Sequence, residues 1–269
     1  MTDRYAVIGN PISHSKSPAI HQAFAEQLGQ DLLYTAELIP LNELNEGLTK
    51  LQSQGFKGIN VTVPFKEQVW QQVENKSEQA TLAGAVNTVI FNDDGSSYGD
   101  NTDGTGLCRD LVDNHAIKLS DRRILLLGAG GAARGVILPL LKHQPSELVI
   151  ANRTFSKAQN LADLFSEFGN IQASGFENIA GQFDVIINAT SASLQGQVPP
   201  IPSTVVQPTT CCYDMMYGVS DTAFIKWAKA HQVSQAIDGL GMLVEQAAEA
   251  FYLWRGLRPS TQSVIASLR

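Results

Sequence analysis

The chain has 269 residues, which is too long for one small core and suits one large domain or two modest ones. Its hydrophobic fraction of 43% and charged fraction of 17% are those of an ordinary globular protein, and no apolar run is long enough to span a bilayer. The formal net charge of −7 argues against nucleic acid as the main partner, because phosphate binding requires a basic surface.

The three cysteines, Cys108, Cys211 and Cys212, show neither a CxxC motif nor the spacing of a disulfide framework. A reducing compartment explains this usage most simply. We also expect no targeting leader, since the first residues lead directly into a short apolar strand. These observations predict a cytoplasmic protein.

Apolar runs of strand length alternate with segments of helical period in the first part of the chain. Strands are predicted at Arg4–Gly9, Leu33–Ile39, Gly58–Val63 and Val86–Phe91, and helices at Pro18–Leu28 and Leu41–Gln54. Ser17 is a residue type that favours the N-cap of a helix, and Pro18 suits the first helical position.

The same alternation restarts at Arg123. Strands are predicted at Arg123–Leu127, Glu147–Ala151, Asp184–Asn188 and Cys212–Met216, and helices at Phe155–Phe168, Thr222–His231 and Met242–Trp254. Pro139 lies in a further helical stretch and predicts a kink or an early end there. This order favours an α/β fold of two domains with mostly parallel sheets and a cleft between them, where small-molecule sites are common.

The predicted strand Arg123–Leu127 runs directly into a glycine-rich turn, Gly128-Ala129-Gly130-Gly131-Ala132-Ala133. A strand followed by G-x-G-x-x-A and a helix is the Rossmann dinucleotide-binding fingerprint. Gly128 permits the tight turn, Gly130 permits close approach of a pyrophosphate, and Ala133 permits close packing of helix on strand. The helix N-terminus would offer N–H groups and partial positive charge to the phosphates.

The next predicted strand ends at Asn152-Arg153-Thr154, and Lys157 follows shortly after. An NAD site requires an acidic residue at this strand end to bind the ribose 2′-hydroxyl, and none is present. The planar guanidinium of Arg153 suits a 2′-phosphate instead. Arg153 could also be a solvated loop residue, but the absence of an acid together with the presence of a base favours NADP.

Polar clusters follow the predicted strands of the first block, at Gly9–Pro18, Gly58–Lys66, Gly84–Thr88 and Gly99–Gly104. Parallel sheets bind ligands at the carboxyl ends of their strands, so these hydroxyls and amides, with Lys66 and Asp103, could hold a small polyhydroxylated ligand. Each cluster alone is equally well explained as a turn or a cap. The residues by themselves therefore predict an NADP enzyme for a polar substrate and go no further.

The histidines predict neither a catalytic serine–histidine site nor a metal site. His14 lies between two serines, but no acidic residue is close in sequence and no G-x-S-x-G motif occurs, so we interpret it as a turn residue. None of the five histidines shows the H-x-H or H-E-x-x-H spacing, and we expect no metal.

The polar clusters resemble the shikimate dehydrogenase family, in order along nearly the whole chain. The matching segments are Ser15–His21, Asn60–Lys66, Gly84–Thr88, Asp100–Gly104, Gly128–Ala132, Asn152–Thr154, Asn188–Ser191, Tyr213–Tyr217 and Asp238–Leu243 with Gln246. No one of these motifs is decisive, whereas nine in the same order are specific. One departure is Gly218-Val219, where many members have a proline, and this leaves the course of that loop open.

The resemblance implies which residues form the site. Hydroxyls matching Ser15 and Ser17 hold the substrate carboxylate, Lys66 matches the catalytic lysine, and Asp103 would orient the lysine and the reacting hydroxyl. The other pocket positions are Asn60, Thr62, Asn87, Tyr217 and Gln246. The implied cofactor positions are Glu78, Gly128, Ala129, Gly130, Gly131, Ala132, Asn152, Arg153, Thr154, Lys157, Thr190, Met215 and Gly239. Glu78 could equally belong to a solvated helix face, and Met215 to an apolar core.

The resemblance also implies a discontinuous substrate-binding domain of residues 1–104 and 242–269, and an NADP-binding Rossmann domain of residues 105–241. The expected reaction is reversible NADP-dependent reduction of 3-dehydroshikimate to shikimate, in the pathway to chorismate and aromatic amino acids. The expected partners are small molecules, with neither nucleic acid nor membrane, and the protein would be a monomer or a homodimer. Two alternatives remain: a quinate/shikimate dehydrogenase that uses both substrates, and a nucleotide-sensing module without catalysis.

Overall fold

The computed structural model describes residues 2–269, with Leu194 described by its backbone alone. The chain divides into two compact units. Unit 1 comprises the residues up to Gly106 together with Val244–Leu268, and unit 2 comprises Leu107–Leu243 with Arg269. Each unit contains one six-stranded sheet. Which unit takes the substrate and which takes NADP stays a prediction.

Unit 1 alternates strands and helices around its sheet. Its elements are β1 (Asp3–Gly9), α1 (Ser17–Leu28), β2 (Leu32–Leu38), α2 (Leu44–Ser53), β3 (Phe56–Val61), α3 (Lys66–Gln72), β4 (Asn75–Lys76), α4 (Glu78–Ala83), β5 (Thr88–Phe91), β6 (Ser97–Asp100) and the beginning of α5 (Asp103–Arg109). The strand order is β2-β1-β3-β5-β6-β4. β1 is parallel to β2 and β3, β4 is parallel to β6, and β5 runs antiparallel to both of its neighbours.

Two predicted strands of unit 1 have bounds that differ from the prediction. β3 ends at Val61 because the chain turns there: Phe65 N–H donates to the Thr62 carbonyl at 3.0 Å, and Pro64 has no N–H to continue the ladder. β5 begins at Thr88 rather than Val86, since Val86 N–H donates to the carbonyl of Lys66. Both corrections place polar residues just outside the strands, where side chains are free to converge.

The first helix also differs in detail from the prediction. Pro18 lies in its first turn as expected, but Ser17 is already the first helical residue and caps nothing with its side chain. The serine that serves this turn is Ser15, whose Oγ accepts from Ser17 N–H at 3.3 Å. The N-cap is Lys16, so the prediction that Ser17 is the N-cap is wrong by one residue, because the chain already turns at Ser15, whose N–H donates to the Ile12 carbonyl.

The end of the chain completes the core of unit 1. Helix α9 (Leu240–Arg255) re-enters unit 1 at Val244 and is followed by α10 (Gln262–Leu268). Trp254 of α9 stacks on Tyr5 of β1 with ring centroids 4.7 Å apart, and its Nε1 donates to the Val89 carbonyl of β5 at 3.0 Å. A residue far along the sequence thus fixes two central strands.

Unit 2 is a fully parallel sheet with order β12-β11-β10-β7-β8-β9. Its elements are β7 (Arg123–Leu127), α6 (Gly131–Lys142), β8 (Glu147–Ala151), α7 (Phe155–Phe165), β9 (Ile171–Ser174), β10 (Val185–Asn188), β11 (Cys211–Asp214), α8 (Ala223–Ala230) and β12 (Gln235–Asp238). The central strands are buried on both faces, as in other parallel sheets. The prediction of an α/β fold with two mostly parallel sheets is confirmed.

Pro139 does not end its helix early. α6 includes Pro139 and continues to Lys142. Only the last turn of the helix follows the proline. All residues from Gly135 to Leu141 are buried, so tertiary packing holds this turn in place and outweighs the lost hydrogen bond of the proline.

Gly58 of β3 provides a test of this packing. A Cβ at this position would lie 2.6 Å from the Val89 carbonyl oxygen, against backbone that cannot move without shifting β5. We expect Gly58→Ala to lower the free energy of unfolding in urea by about 1–3 kcal/mol, as overpacked cores do. The control is Gly175→Ala, where φ is −79° and the nearest atom would be 3.7 Å away. An equal effect of both substitutions would contradict this account of the β3–β5 contact.

Candidate active site

An ion pair of unit 1 brings Lys66 and Asp103 together. Lys66 is the first residue of α3 and Asp103 the first of α5, and Nζ lies 2.6 Å from Oδ2. Their side chains are 28% and 13% exposed, so the pair is partly shielded from water yet open to a ligand. Partial burial strengthens the attraction relative to a surface ion pair. A lysine held by a carboxylate in this way can give or take a proton at a nearby oxygen.

Asn87 connects this ion pair, through hydrogen bonds, to the C-terminal part of unit 1. Its Nδ2 donates to Asp103 Oδ1 at 2.8 Å and to Gln246 Oε1 at 3.0 Å. Its Oδ1 accepts from the Thr102 N–H and the Thr88 hydroxyl, both at 2.9 Å. Residues far apart in sequence thus converge on one buried amide, and the predicted pocket residues Lys66, Asn87, Asp103 and Gln246 form one network.

Asn60 is held in a second, adjoining network. Its Nδ2 donates to the Asn87 carbonyl at 3.2 Å and to the Thr88 hydroxyl at 3.0 Å, and its Oδ1 accepts from the Tyr34 hydroxyl at 2.7 Å. Burial raises the pKa of Tyr34 well above its usual value, so the phenol remains a neutral donor. The Tyr34 ring stacks on His21 with centroids 4.1 Å apart, and burial lowers the pKa of that histidine to about 3.

The hydroxyl residues Ser15, Ser17 and Thr62 lie at the carboxyl ends of the parallel strands. Ser15 follows β1, Ser17 opens α1, and Thr62 comes directly after β3. Thr62 N–H donates to the Ile8 carbonyl of β1, which holds the ends of these two strands together. Gly9 keeps this junction tight, since a Cβ there would approach Thr62 Cγ2 to 2.6 Å. All three are partly exposed and available to an anionic group.

The glycine-rich turn of unit 2 has the geometry of a phosphate site. Gly128 takes a positive φ of 110°, Gly130 is the N-cap of α6, and the helix begins at Gly131. A Cβ built on Gly130 would meet no atom within 4 Å, so the space in front of the helix N-terminus is open. Exposed Gly130, Gly131 and Ala132 leave their N–H groups available to an anion. The residues present therefore fit the pyrophosphate of a dinucleotide.

The end of β8 carries the basic residues expected to select the cofactor. Asn152 Nδ2 donates to the Thr154 carbonyl at 2.9 Å and shapes the turn into α7. Arg153 lies in that turn, and Lys157 lies in the first turn of α7; both side chains are exposed. Two cations at one strand end, without an acidic residue in the turn, fit a 2′-phosphate better than a ribose hydroxyl.

A buried carboxylate organises the segment that follows β11. Asp214 accepts hydrogen bonds from Ser193, Thr222, Asn188 and the Met216 N–H. Burial raises the pKa of Asp214, while the bonds from these neighbours act in the opposite direction. The network fixes the backbone that carries Met215 and Tyr217.

The backbones of Met215 and Gly239 lie against each other. A Cβ at Gly239 would lie 2.6 Å from the Met215 carbonyl carbon, so only glycine permits this approach of two backbones. Thr190, after β10, donates its N–H and hydroxyl to Asn188 Oδ1 and packs against the Gly128 turn. Tyr217 is half-buried in unit 2, and burial raises its pKa. Gly218-Val219 follow in an irregular segment that bends at Val219, and Val219 is fully exposed.

Glu78 lies in a different unit of the structure from the other predicted cofactor residues, which all belong to unit 2. It belongs to unit 1, in the first turn of α4, where a carboxylate complements the helix dipole. This position agrees with the alternative of a solvated helix face, and its contact with a cofactor stays a prediction.

Among residues 2–269, no cluster of three His, Cys, Asp or Glu side chains could hold a metal ion, and no described helix is long and apolar enough to cross a membrane. All three cysteines are buried without a disulfide partner. Burial raises the pKa of the Cys108 thiol to about 12, so no reactive thiolate is expected at neutral pH.

Several residues that shape the site were not singled out from the sequence. Tyr34, Thr88 and Thr102 hydrogen-bond to predicted site residues, and Asp214 accepts from the N–H of Met216, which lies between the predicted residues Met215 and Tyr217. Thr88, Thr102 and Asp214 lie inside matching motifs, which was the available signal. Tyr34 lies in a strand without any motif, and only its contact with Asn60 reveals it.

Comparison with known families agrees with this geometry. The family models described as "Shikimate dehydrogenase substrate binding domain", "Shikimate / quinate 5-dehydrogenase" and "Shikimate 5'-dehydrogenase C-terminal domain" match residues 7–89, 110–195 and 239–269. The curated shikimate dehydrogenase (NADP(+)) of Alkalilimnicola ehrlichii is 53% identical over 269 residues, covering 100% of this chain and 99% of the relative.

Solved structures give the same result. The chain resembles an Ael1 enzyme from Pseudomonas putida at 45% identity and a TM-score of 0.95, over 99% of this chain and 98% of that one. It also resembles shikimate 5-dehydrogenase from Thermus thermophilus in complex with NADP(H) and shikimate, at 33% identity and a TM-score of 0.87, over 99% and 98% of the two chains. On sequence and on structure alike, the chain belongs to the shikimate dehydrogenase family.

Proposed function

We propose that this protein catalyses the reversible NADP-dependent reduction of 3-dehydroshikimate to shikimate. The observation that carries the proposal is the ion pair of Lys66 and Asp103 at 2.6 Å, next to the amides of Asn87 and Gln246. Relatives that span the whole chain carry the name shikimate dehydrogenase (NADP(+)). The product would enter the pathway to chorismate and the aromatic amino acids.

Reduction of a ketone needs a hydride at carbon and a proton at oxygen, and the bound nicotinamide supplies the hydride. Lys66 donates the proton to the ketone oxygen in reduction and takes it back in oxidation. Asp103 holds the ammonium in place through Oδ2 and orients the reacting hydroxyl. Ser15 and Ser17 bind the carboxylate, which the reaction leaves unchanged, and Thr62, Asn60, Gln246 and Tyr217 complete recognition of the ring.

The cofactor residues divide into three groups in this proposal. The turn of Gly128, Ala129, Gly130, Gly131 and Ala132 binds the pyrophosphate at the N-terminus of α6. Asn152, Arg153, Thr154 and Lys157 bind the adenosine 2′-phosphate. Thr190, Met215 and Gly239 border the nicotinamide end. We place the protein in the cytoplasm as a monomer or a homodimer, a location in keeping with three buried, unpaired cysteines.

The competing functions differ in substrate, cofactor or the presence of catalysis. Quinate use and NAD use are tested directly by the activity with shikimate or quinate and with NADP or NAD, followed as absorbance of the reduced nicotinamide. We expect the highest kcat/KM with shikimate and NADP. A non-catalytic nucleotide sensor would have no need for a lysine–aspartate pair in a polar pocket, and the absence of turnover in all four combinations would favour it.

Arg153 tests the choice of cofactor. A hydrogen bond to a charged group contributes roughly 1.5–3 kcal/mol, so Arg153→Ala should raise the KM for NADPH by about ten- to a hundred-fold. The matched control is Arg122→Ala, which removes an exposed arginine that pairs with Asp184 in the same unit. An equal loss with NADPH and NADH would show that Arg153 does not contact the 2′-phosphate.

Ser15 tests the binding of the carboxylate. The carboxylate does not change between ground state and transition state, so its interactions mainly set KM. Ser15→Ala should raise the KM for shikimate more than it lowers kcat. Ser13→Ala, an exposed serine of the same loop, should change neither constant. If kcat collapses while KM holds, the carboxylate is bound elsewhere.

Lys66 and Asp103 test the proton transfer. Positioned acid–base catalysis contributes about 10²–10⁴ in rate, so Lys66→Ala should lower kcat by that factor with a modest change in KM. Asp103→Asn should also slow turnover, because it removes the charge and nearly keeps the shape. The control is Lys57→Ala, which breaks an exposed ion pair with Asp93 in the same unit. If KM rises and kcat survives at saturating shikimate, Lys66 binds substrate without transferring the proton.

A further inference from the structure

Asp110 is a buried carboxylate of unit 2 to which the proposed function gives no role. It begins a π-helical turn, Asp110–Asn114, that continues α5, and it is 1% exposed. Tyr213 Oη donates to Asp110 Oδ2 at 2.6 Å, and Asn114 Nδ2 donates to Oδ1 at 2.9 Å. π-Helical turns are rare, and they are frequent at functional sites.

The carboxylate of Asp110 lies against the first turn of α9. A Cβ built on Gly241, the second residue of this helix, would collide with both carboxylate oxygens, so only glycine leaves room for them. The first N–H groups of a helix have no acceptor within the helix, and the helix dipole favours a negative group at this end. Asp110 therefore lies where it stabilises the beginning of α9.

Tyr213 connects Asp110 to the same turn of α9. Burial raises the pKa of Tyr213 well above its usual value and Asp110 raises it further, so the phenol stays neutral. A hydrogen bond from the Met242 N–H acts on this pKa in the opposite direction. The hydroxyl of Tyr213 thus accepts from the first turn of α9 and donates to Asp110.

Gly239, which borders the nicotinamide in the proposed function, is the residue directly before α9. Its N–H donates to the Met216 carbonyl at 3.1 Å, and its carbonyl accepts from the Leu243 N–H at 3.1 Å. The backbone of Gly239 is therefore held from one side by the chain after β11 and from the other by the first turn of α9. Asp110 and Tyr213 fix that turn.

The end of β11 is held on both of its faces, directly before Met215. Neighbouring residues of a strand point to opposite faces. Tyr213 contacts Asp110 on one face, and Asp214 accepts from Ser193 on the other. The pair of Asp110 and Tyr213 therefore acts on both backbone segments that would border the nicotinamide, the one after β11 and the one before α9.

We propose that Asp110 and Tyr213 are positioning residues that set the place of the nicotinamide ring by fixing the backbones of Met215 and Gly239. Both are almost fully buried, so they act through the backbone rather than by touching the cofactor. The inference rests on the proposed function, because it requires that NADP binds with its nicotinamide at Met215 and Gly239.

Binding without turnover tests the role of Tyr213. Tyr213→Phe keeps the ring but removes the hydroxyl that links Asp110 to α9. The affinity for NADPH should fall by about three- to tenfold, the loss expected for one hydrogen bond. The affinity for 2′-phospho-ADP-ribose, which has the same phosphates but no nicotinamide, should not change. Equal losses for the two ligands, or no loss for either, would overturn the proposal.

An exchange of donor and acceptor tests the role of Asp110. Asp110→Asn keeps an acceptor for Tyr213 but sets an NH₂ group against the Asn114 amide, so that two donors meet. NADPH affinity should fall as in Tyr213→Phe, and the added substitution Asn114→Asp should restore it. Asp113→Asn, which removes an exposed carboxylate of the same turn, should change nothing. If the folded double variant recovers no affinity, Asp110 does not hold this turn.

Hydrogen exchange in the protein without cofactor separates positioning from a general loss of stability. In Tyr213→Phe the Met242 amide should exchange about tenfold faster because its acceptor is gone, while the amide of Leu126 in β7 keeps its rate. Equal acceleration of both amides would mean that the hydroxyl only stabilises the fold.

Turnover gives the last comparison. A misplaced nicotinamide should lower kcat by about ten- to a hundred-fold in Tyr213→Phe and leave the KM for shikimate unchanged. An unchanged kcat would overturn the positioning role. If Asp110→Asn does not fold, the measurements on Tyr213→Phe decide. Wild-type protein that binds NADPH but does not turn over shikimate overturns the proposed function alone, since the affinities and exchange rates decide the inference without turnover.

Discussion

The buried amide of Asn87 is the contact on which the candidate site of unit 1 depends. It joins the start of β5 to the start of α5 and to a helix near the end of the chain, through Asp103 and Gln246. Asp103 and Gln246 are far apart in sequence, and this amide hydrogen-bonds to both. Because the amide is removed from water, each bond it makes is stronger than at the surface, and each bond lost would leave a costly unpaired group.

Unit 2 uses a buried carboxylate in the same way. Asp214 accepts from Asn188 at the end of β10, from Ser193 and Thr222, and from the chain just after β11, and these contacts hold the backbone that carries Met215 and Tyr217. In both units, buried and hydrogen-bonded groups hold partly exposed residues such as Lys66, Asp103 and Tyr217 in place. With this arrangement a site stays polar and accessible while its side chains are held in fixed positions.

Much of the fold could be predicted because its signals are local. The strand Arg123–Leu127 and the turn at Gly128 were found at their observed positions, since a buried parallel strand is a continuous apolar run and the turn needs glycine. The end of β3 and the start of α1 were misplaced, because contacts to other segments decide them. The antiparallel direction of β5 also has no local signal, as the same alternation of residues suits either direction.

For the candidate site too, some features follow from local sequence and others from contacts between distant segments. The sequence determined the family, the residue types at the strand ends and the basic turn at Arg153, because these depend on the identity of residues within short motifs. Only the tertiary structure decided that Lys66 pairs with Asp103, that Tyr34 supports Asn60, and that Gln246 accepts a hydrogen bond from Asn87. The physical reason is that hydrogen-bond direction is a property of a pair of groups, and these partners meet only when distant segments of the chain fold together.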